Sequence, residues 1–349
     1  MNVPASMRIA ELTEIGKIKY RQVPMPQAGP GELVIKTRAV GLCGTDLKAF
    51  VRGHPYFKPP CVLGHEFAGT ITEVGEGVES FAVGEAVVAA PYVECGQCDL
   101  CLRDLGELCR HKAFVSGALQ EYILVPREIV NAATARLPEG IDFIAGSLAE
   151  PLACAVNGIE KASIESRDSV LVVGGGPMGA LLAQIARSIT LRVVVSEISP
   201  TRIRALRDLD LTVIDPSRKD TSQHLGDQFE APQADKVLIA VGLRAVAEEA
   251  LAWAAPGGTV LLFGGLPKDD RLMIDPFAVH YQEVSIVGSF GYRLDHFRTA
   301  LSWLSEHAEE AARLVTHTVP FEKVEEGFEI ARRGDGLKTV VVFGEGNES

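Results

Sequence analysis

Cys95, Cys98, Cys101 and Cys109 form a C-x2-C-x2-C-x7-C cluster, and any fold open to this chain must gather these four thiols on one short loop. Four thiolates so spaced can close a tetrahedral shell around a single zinc ion. Left without metal on a surface loop, they would oxidise or capture an ion in any case. An Fe–S cluster is the chief competitor for the same ligands, but nothing else in the sequence calls for electron transfer. A shell with all four positions filled leaves no room for a substrate, so this metal is structural and locates no chemistry.

Cys43, Cys61 and Cys154 bring the cysteines to seven. The start, MNVPASM, has no basic segment leading into an apolar stretch and does not read as a secretory signal. A cytoplasmic, reducing compartment is therefore expected, in which clustered cysteines serve as metal ligands rather than disulfides. The residues ahead of Met7 read as a short disordered extension, and the closing GEGNES as a mobile tail. The formal net charge of -12 argues against nucleic acid or an anionic membrane as partner. No apolar run reaches the length of a membrane span. At 349 residues, with 47% hydrophobic and 23% charged residues, the chain suits two folded domains rather than one core.

The two halves carry different patterns. The first reads as irregular β structure: Leu33–Val40, Gly69–Val74 and Glu85–Ala89 are short, β-branched runs separated by glycine-rich turns. GEGVESFAVGE, from Gly75 to Glu85, reads as two turns flanking a small apolar insertion. After Pro151, strand-like runs (Ser169–Val173, Arg192–Ser196, Asp235–Val241, Thr259–Phe263, Val284–Val287) alternate with helix-like ones, which implies a parallel sheet with crossover helices. Two amphipathic helices, Phe297–Leu304 and one around Val324–Arg332, and a strand Thr339–Phe343 follow.

The GGGPMG segment sits where such a sheet binds a dinucleotide. Gly174, Gly176 and Gly179, with Pro177 and Met178 between them, follow a clear strand and open a helix, the context that gives a GxGxxG pattern meaning. Gly174 allows the tight turn, Gly176 lets backbone approach the pyrophosphate, and Gly179 permits close helix–strand packing. The helix N-terminus favours the anionic bridge. The bland reading is a glycine turn without a ligand. Glu197 stands twenty-three residues past Gly174. An acid there can accept hydrogen bonds from both ribose hydroxyls and would repel the extra phosphate of NADP, which favours NAD. Arg202 weakens that case slightly, since it could sit near the adenosine.

The cysteine loop lies downstream of CGTD (Cys43–Asp46) and GHEFAG (Gly64–Gly69), and upstream of EPLACA (Glu150–Ala155) and GGGPMG. In this order and spacing the chain resembles the zinc-containing medium-chain alcohol dehydrogenase family, most of all the branch holding sorbitol, threonine and related polyol or sugar dehydrogenases. The resemblance runs over nearly the whole chain. It implies an α/β protein with a GroES-like, β-rich catalytic domain at 1–155, to which 295–349 return, and a Rossmann doubly wound parallel-sheet domain at 156–294. It also implies two zinc ions per chain, NAD, a small polyol or sugar substrate, and a homo-oligomer, dimer or tetramer.

Read alone, Cys43 could be a core thiol and His65 a capped turn residue; beside the family pattern they become ligands of a catalytic zinc. Glu66 follows His65 directly, and neighbours on an extended strand point to opposite faces. Both reach one metal only if the chain bends there. The resemblance makes Glu66 a ligand and Glu150 the holder of a zinc-bound water, with exchange between them possible; either could instead be a salt-bridged surface acid. Asp46 reads as the carboxylate that orients the metal-bound histidine. Thr45 could bond the substrate hydroxyl and pass its proton outward, or satisfy local backbone. His54 could touch substrate or complete a proton path, or be an exposed loop histidine. Cys61 and Cys154 read as packed, inert thiols. By the same resemblance Val241–Gly242, Phe263–Gly264 and Gly288–Phe290, Ser289 among them, lie at strand ends where the nicotinamide half would pass.

One departure is plain. Between Cys109 and Glu121 the chain reads RHKAFVSGALQ, shorter than is usual in the family, so the substrate is left open. Amino alcohols and sugar phosphates are the alternatives to a polyol, sugar or cyclitol. A non-catalytic zinc- and nucleotide-binding protein would be expected to lose some of Cys43, His65, Glu66 and Glu150, and all are present. A zinc-free quinone reductase of the same fold is disfavoured by both zinc patterns.

Overall fold

The structure is a computed structural model that describes residues 5–344 except residue 56. The expected extension ahead of Met7 and the GEGNES tail lie largely outside the described residues. Two compact units are formed, Met1–Ala153 with Arg293–Ser349, and Cys154–Tyr292. No helix among the described residues is long and apolar enough to cross a membrane.

The first unit is built around the strand Leu33–Gly41, LVIKTRAVG, which is buried along almost its whole length. Its β-branched residues suit a pleated surface covered on both sides. One edge pairs antiparallel with Glu66–Val74. The other edge is shared. Leu33–Lys36 take Tyr122–Val125, and Ala39–Gly41 take the C-terminal strand Lys338–Val342. The sheet continues outward through Ala86–Ala89 and Thr134–Arg136 on one side and Val315–Pro320 on the other. A separate hairpin, Ser6–Glu14 with Lys17–Pro24, pairs with Cys61–Val62. The return of the C-terminal strand matters for function, because its register sets Val340 opposite Gly41, and Gly41 opposite Glu66.

The second unit is a six-stranded sheet in the order Thr212–Ile214, Val193–Ser196, Val170–Val173, Ala234–Ile239, Ala254–Leu262, Ser285–Gly288, parallel throughout. This is the doubly wound order whose strand ends bind nucleotides. A parallel sheet is covered on both faces, and its strands accordingly read as unbroken apolar runs. All four residues of Val170–Val173 are buried, as are all four of Val193–Ser196. Leu171, Val194, Val237 and Val260 form one core with Leu225, Phe229 and Leu251 from the helices. Each such side chain contributes about 1.5–3 kcal/mol by leaving water. The helix Pro177–Arg187 starts with proline in its first turn, where the missing N–H costs nothing, and buries Ala180–Ala186.

The α/β class with a GroES-like and a parallel-sheet part is as expected from the sequence. Three features differ. The irregular β half contains the helices Gly44–Arg52 and Arg127–Ala133 and a long first hairpin. CGTD, taken as a ligand motif, is also a helix start. The strand expected at Thr259 begins at Ala254, because Pro256, Gly257 and Gly258 interrupt the apolar run without ending the extended backbone.

Candidate active site

Leaving the Leu33–Gly41 strand, the chain turns at Cys43 into the helix Gly44–Arg52, with Cys43 as its N-cap. The Cys43 sulfur accepts the Thr45 N–H at 3.4 Å, and Asp46 Oδ2 accepts the Cys43 N–H at 3.3 Å. Asp46 Oδ1 also accepts the Gly64 N–H at 3.0 Å. One fully buried carboxylate thus ties together the two segments that carry Cys43 and His65. Burial alone would raise its pKa; the His65 ring and the N–H groups of Gly64 and Cys43 more than offset this and hold it below the usual range.

The bend needed at His65 is supplied by Gly64, whose φ of 89° lies in the left-handed region and whose surroundings, Val40 and Leu119, leave no space for a Cβ. The strand starts only at Glu66. Cys43, His65 and Glu66 consequently present ligand atoms within 4.8 Å of one another. His65 Nδ1 lies 3.3 Å from Asp46 Oδ1, a charge contact outside good hydrogen-bond geometry, and Nε2 is left for a metal. Burial opposes a charge on the His65 ring, yet Asp46 and Cys43 raise its pKa well above the ordinary value. These groups together favour a cation at this place.

Glu66 is fully buried, and its Oε1 has no protein partner among the described residues. Its Oε2 is ion-paired with Lys338, itself 3% exposed. Burial works against the Lys338 charge, but Glu66, Cys43 and Glu150 raise its pKa. Gly41 makes room for the pair, since a Cβ there would fall 2.1 Å from Glu66 Oε2. Neither Lys338 nor Gly41 figures in the sequence reading. The available signal was a lysine opening the otherwise apolar strand KTVVV. Glu150, in the first turn of Ala149–Ala162, is buried but is not among the three groups within 4.8 Å. Burial first, then Glu66, push its carboxyl up to about 7 against the opposing pull of His65 and Lys338. An unpartnered carboxylate oxygen, an imidazole nitrogen and a thiol form a mixed donor set of the kind zinc accepts, with a position left over. His54 lies one ring further out: it packs against Phe57 at 5.7 Å, and Phe57 stacks over His65 at 6.5 Å. Burial and Lys48 lower the His54 pKa.

The cysteine loop meets a stricter test. Sulfur–sulfur separations are 3.9 Å (Cys95–Cys101), 3.5 Å (Cys98–Cys101), 3.8 Å (Cys98–Cys109) and 3.6 Å (Cys95–Cys109). A tetrahedron with metal–sulfur bonds of about 2.3 Å has edges of about 3.8 Å. Backbone N–H groups of Cys95 and His111 point at the Cys109 sulfur. Desolvation and the neighbouring sulfurs push the Cys101 thiol up to about 12, and a bound cation at the centre of the four sulfurs would oppose that rise.

In the second unit Gly174 has a φ of 96°, and a Cβ on Gly179 would lie 1.8 Å from the Gly174 carbonyl, so this helix can approach its strand only as glycine. Beside Gly176 only the Arg202 guanidinium comes within 4 Å, which leaves the backbone open on that side. Pro177 and Met178 follow in the first helical turn. Glu197 is buried; its Oε2 accepts the Gly175 N–H at 2.8 Å, and Oε1 those of Ile198 and Ser199 at 2.7 and 2.8 Å. Gly175, which the sequence reading passed over, is therefore part of the loop's geometry. Arg202 stands 4.0 Å from Glu197. Val241 packs against Gly174, and Gly264 against the Val241 backbone. Ser289 and Phe290 follow the edge strand, with Phe290 exposed.

The alcohol dehydrogenase GroES-like domain matches residues 29–135, and the zinc-binding dehydrogenase domain matches residues 177–306. An L-galactonate-5-dehydrogenase of Escherichia coli K12 is 33% identical over 93% of this chain and 95% of its own length. The chain belongs to the zinc-containing medium-chain alcohol dehydrogenase family. A zinc-binding dehydrogenase of Sinorhizobium meliloti 1021, bound to NADP, superposes with a TM-score of 0.88 at 29% identity over 97% of this chain and 100% of its own. An alcohol dehydrogenase of E. coli CFT073, complexed with NADH, does so with a TM-score of 0.86 at 25% identity over the same shares. The two thiol-bearing clusters of this family member thus have distinct chemistry: a closed sulfur tetrahedron and an open mixed set.

Two outcomes follow from these geometries. Cys101→Ser should lower bound zinc by one ion per chain in elemental analysis. Lys338→Met leaves Glu66 buried without its lysine and should destabilise by about 3–5 kcal/mol in chemical denaturation. The loss should be larger after chelation than with zinc restored, because a metal held by Glu66 takes over part of the compensation.

Proposed function

We propose that the protein oxidises a secondary alcohol of a polyol, sugar or cyclitol and delivers the hydride to NAD. The observation that carries this reading is the convergence of Cys43, His65 and the unpartnered Glu66 oxygen on one point. The catalytic zinc is held by Cys43, His65 and Glu66, with Glu150 close by, and Cys95, Cys98, Cys101 and Cys109 hold the second ion. Residues 1–155 and 295–349 act as the catalytic domain and 156–294 as the NAD-binding domain. Zinc, when bound, polarises the substrate hydroxyl, and the nicotinamide accepts the hydride.

The chain's own groups handle the proton and the orientation. Asp46, whose Oδ1 lies 3.3 Å from His65 Nδ1, favours a proton on that nitrogen and leaves Nε2 for a metal. The Thr45 hydroxyl, beside Cys43, accepts the hydroxyl proton and passes it outward. Glu150, pushed up to about 7, is poised to take a proton near neutrality. The substrate loses hydride from its carbinol carbon and a proton from oxygen, and a ketone is left. With the Cys43 thiolate and the Glu66 carboxylate among its ligands, a bound zinc would be a mild Lewis acid, which would suit chelating substrates such as vicinal diols. The galactonate activity of the E. coli relative fits that class. Glu197, fixed by three N–H groups, supports NAD over NADP by repelling a 2′-phosphate. We also propose a cytoplasmic homo-oligomer. Five cysteines clustered as metal ligands rather than disulfides support the compartment, and exposed Met273, Phe277 and Tyr281 in one stretch support the association.

Cys43→Ser tests the mechanism: turnover should fall by on the order of a thousandfold, as loss of several kcal/mol of metal assistance implies, while NADH affinity stays within about twofold. Joint loss of activity and NADH binding would count against the assignment. NADH absorbance over polyols, sugar acids, cyclitols, amino alcohols and sugar phosphates, each with NAD and NADP, identifies the substrate. Exclusive turnover of an amino alcohol or a phosphate ester would overturn the polyol reading.

A further inference from the structure

The helix Ala149–Ala162 carries one fully buried amide, Asn157, that no step above uses. Its Nδ2 donates to the Gly291 carbonyl at 2.9 Å and reaches the Phe290 carbonyl at 3.5 Å. Both partners are acceptors, so the amide orientation is fixed: nitrogen toward the carbonyls, oxygen away. Among the described residues, Asn157 Oδ1 then lies buried without a protein partner, and so does the Ser289 hydroxyl. The next residue, Gly158, sits against the Phe263 ring, where a Cβ would fall 2.9 Å from it. Two consecutive residues of one helix therefore contact the segments after both Ala254–Leu262 and Ser285–Gly288.

Those segments are the C-terminal ends of parallel strands, where a doubly wound sheet meets its ligand. The chain at 289–291 has left the sheet. Ser289 N–H keeps one long bond to Leu262, at 3.3 Å, Phe290 is 61% exposed, and Gly291 takes a φ of 60°. The Asn157 amide ties the Phe290 and Gly291 carbonyls to the helix Ala149–Ala162. Backbone carbonyls at such strand ends are acceptors of the kind a nicotinamide carboxamide N–H2 group can meet, provided the chain holds them in place.

We propose that Asn157 is a positioning residue for the nicotinamide half of the bound dinucleotide, acting by holding the Phe290 and Gly291 carbonyls in place. The inference rests on the dinucleotide reading above. It assigns Asn157 no contact with the adenosine half, which is the basis of its test.

NADH and ADP-ribose, which lacks the nicotinamide, are titrated by calorimetry against the full-length zinc-loaded protein and its Asn157→Leu and Asn157→Asp variants. Leucine matches the volume without a donor; aspartate keeps the shape and turns an acceptor toward the carbonyls. NADH affinity should fall about tenfold, the equivalent of one hydrogen bond, with ADP-ribose affinity unchanged within about twofold. Parallel weakening of both ligands would make Asn157 a packing residue only and overturn the proposal, as would no change in either. If the unaltered protein binds neither ligand, the dinucleotide reading itself fails, and that result is distinct from the other two. Should the leucine variant not fold, the aspartate variant is read by the same ratio.

Discussion

A carboxylate fully removed from water is unstable unless positive charge stands beside it, and in this molecule three such acids are buried in one place. Asp46 and Glu66 are wholly inaccessible and Glu150 nearly so. Lys338 answers one of them, and His65 answers another only when protonated. The divalent ion we propose for Cys43, His65 and Glu66 would close that imbalance. The sheet is arranged to make this possible: Gly41 stands opposite Glu66 on one side and Val340 on the other, and only a residue without a side chain leaves space for the ion pair. The C-terminal strand therefore completes the first unit's sheet and brings the lysine that makes the buried site tolerable.

The same logic separates the two metal sites. In the cysteine loop every donor is a sulfur, and the separations describe a closed tetrahedron. Nothing there can change partner. At Cys43, one thiol, one imidazole and one carboxylate converge, and on the proposed reading they would leave a metal one open position. The carboxylate is shared with Lys338, and a second acid with a pKa near neutrality stands close. Closure gives stability and an open, mixed set gives reactivity, so the donor chemistry assigns the roles without reference to position in the chain.

What could be read in the sequence was what the chain encodes locally. Four cysteines within one loop, glycines between a strand and a helix, and unbroken valine runs in a parallel sheet each carry their meaning within a few residues. Lys338 and Gly41 do not. Their importance arises from register across a sheet joining the two ends of the first unit, and a single sequence holds no trace of that pairing. The helix after Cys43 was hidden for another reason: Asp46 closes its first turn by accepting the N–H of the N-cap Cys43 and is also the partner of His65, and the second role obscured the first. The hairpin Ser6–Glu14 with Lys17–Pro24 escaped because charged residues dominate its outer face and a bulge near Leu12 breaks the alternation.

Glu197, proposed above to favour NAD, is held by structural bonds. Its two oxygens hold the N–H groups of Gly175, Ile198 and Ser199, so the carboxylate shapes the glycine loop and also the start of the following helix. A side chain held at three points cannot swing aside to admit a phosphate. Arg202, 4.0 Å away, is drawn toward that carboxylate, and its charge is partly spent there. Exchanging the acid for a neutral residue would free the arginine but would also release three backbone donors beside the pyrophosphate position. On the proposed reading, cofactor preference and loop geometry would be one property, and a change in the first is expected to loosen the second.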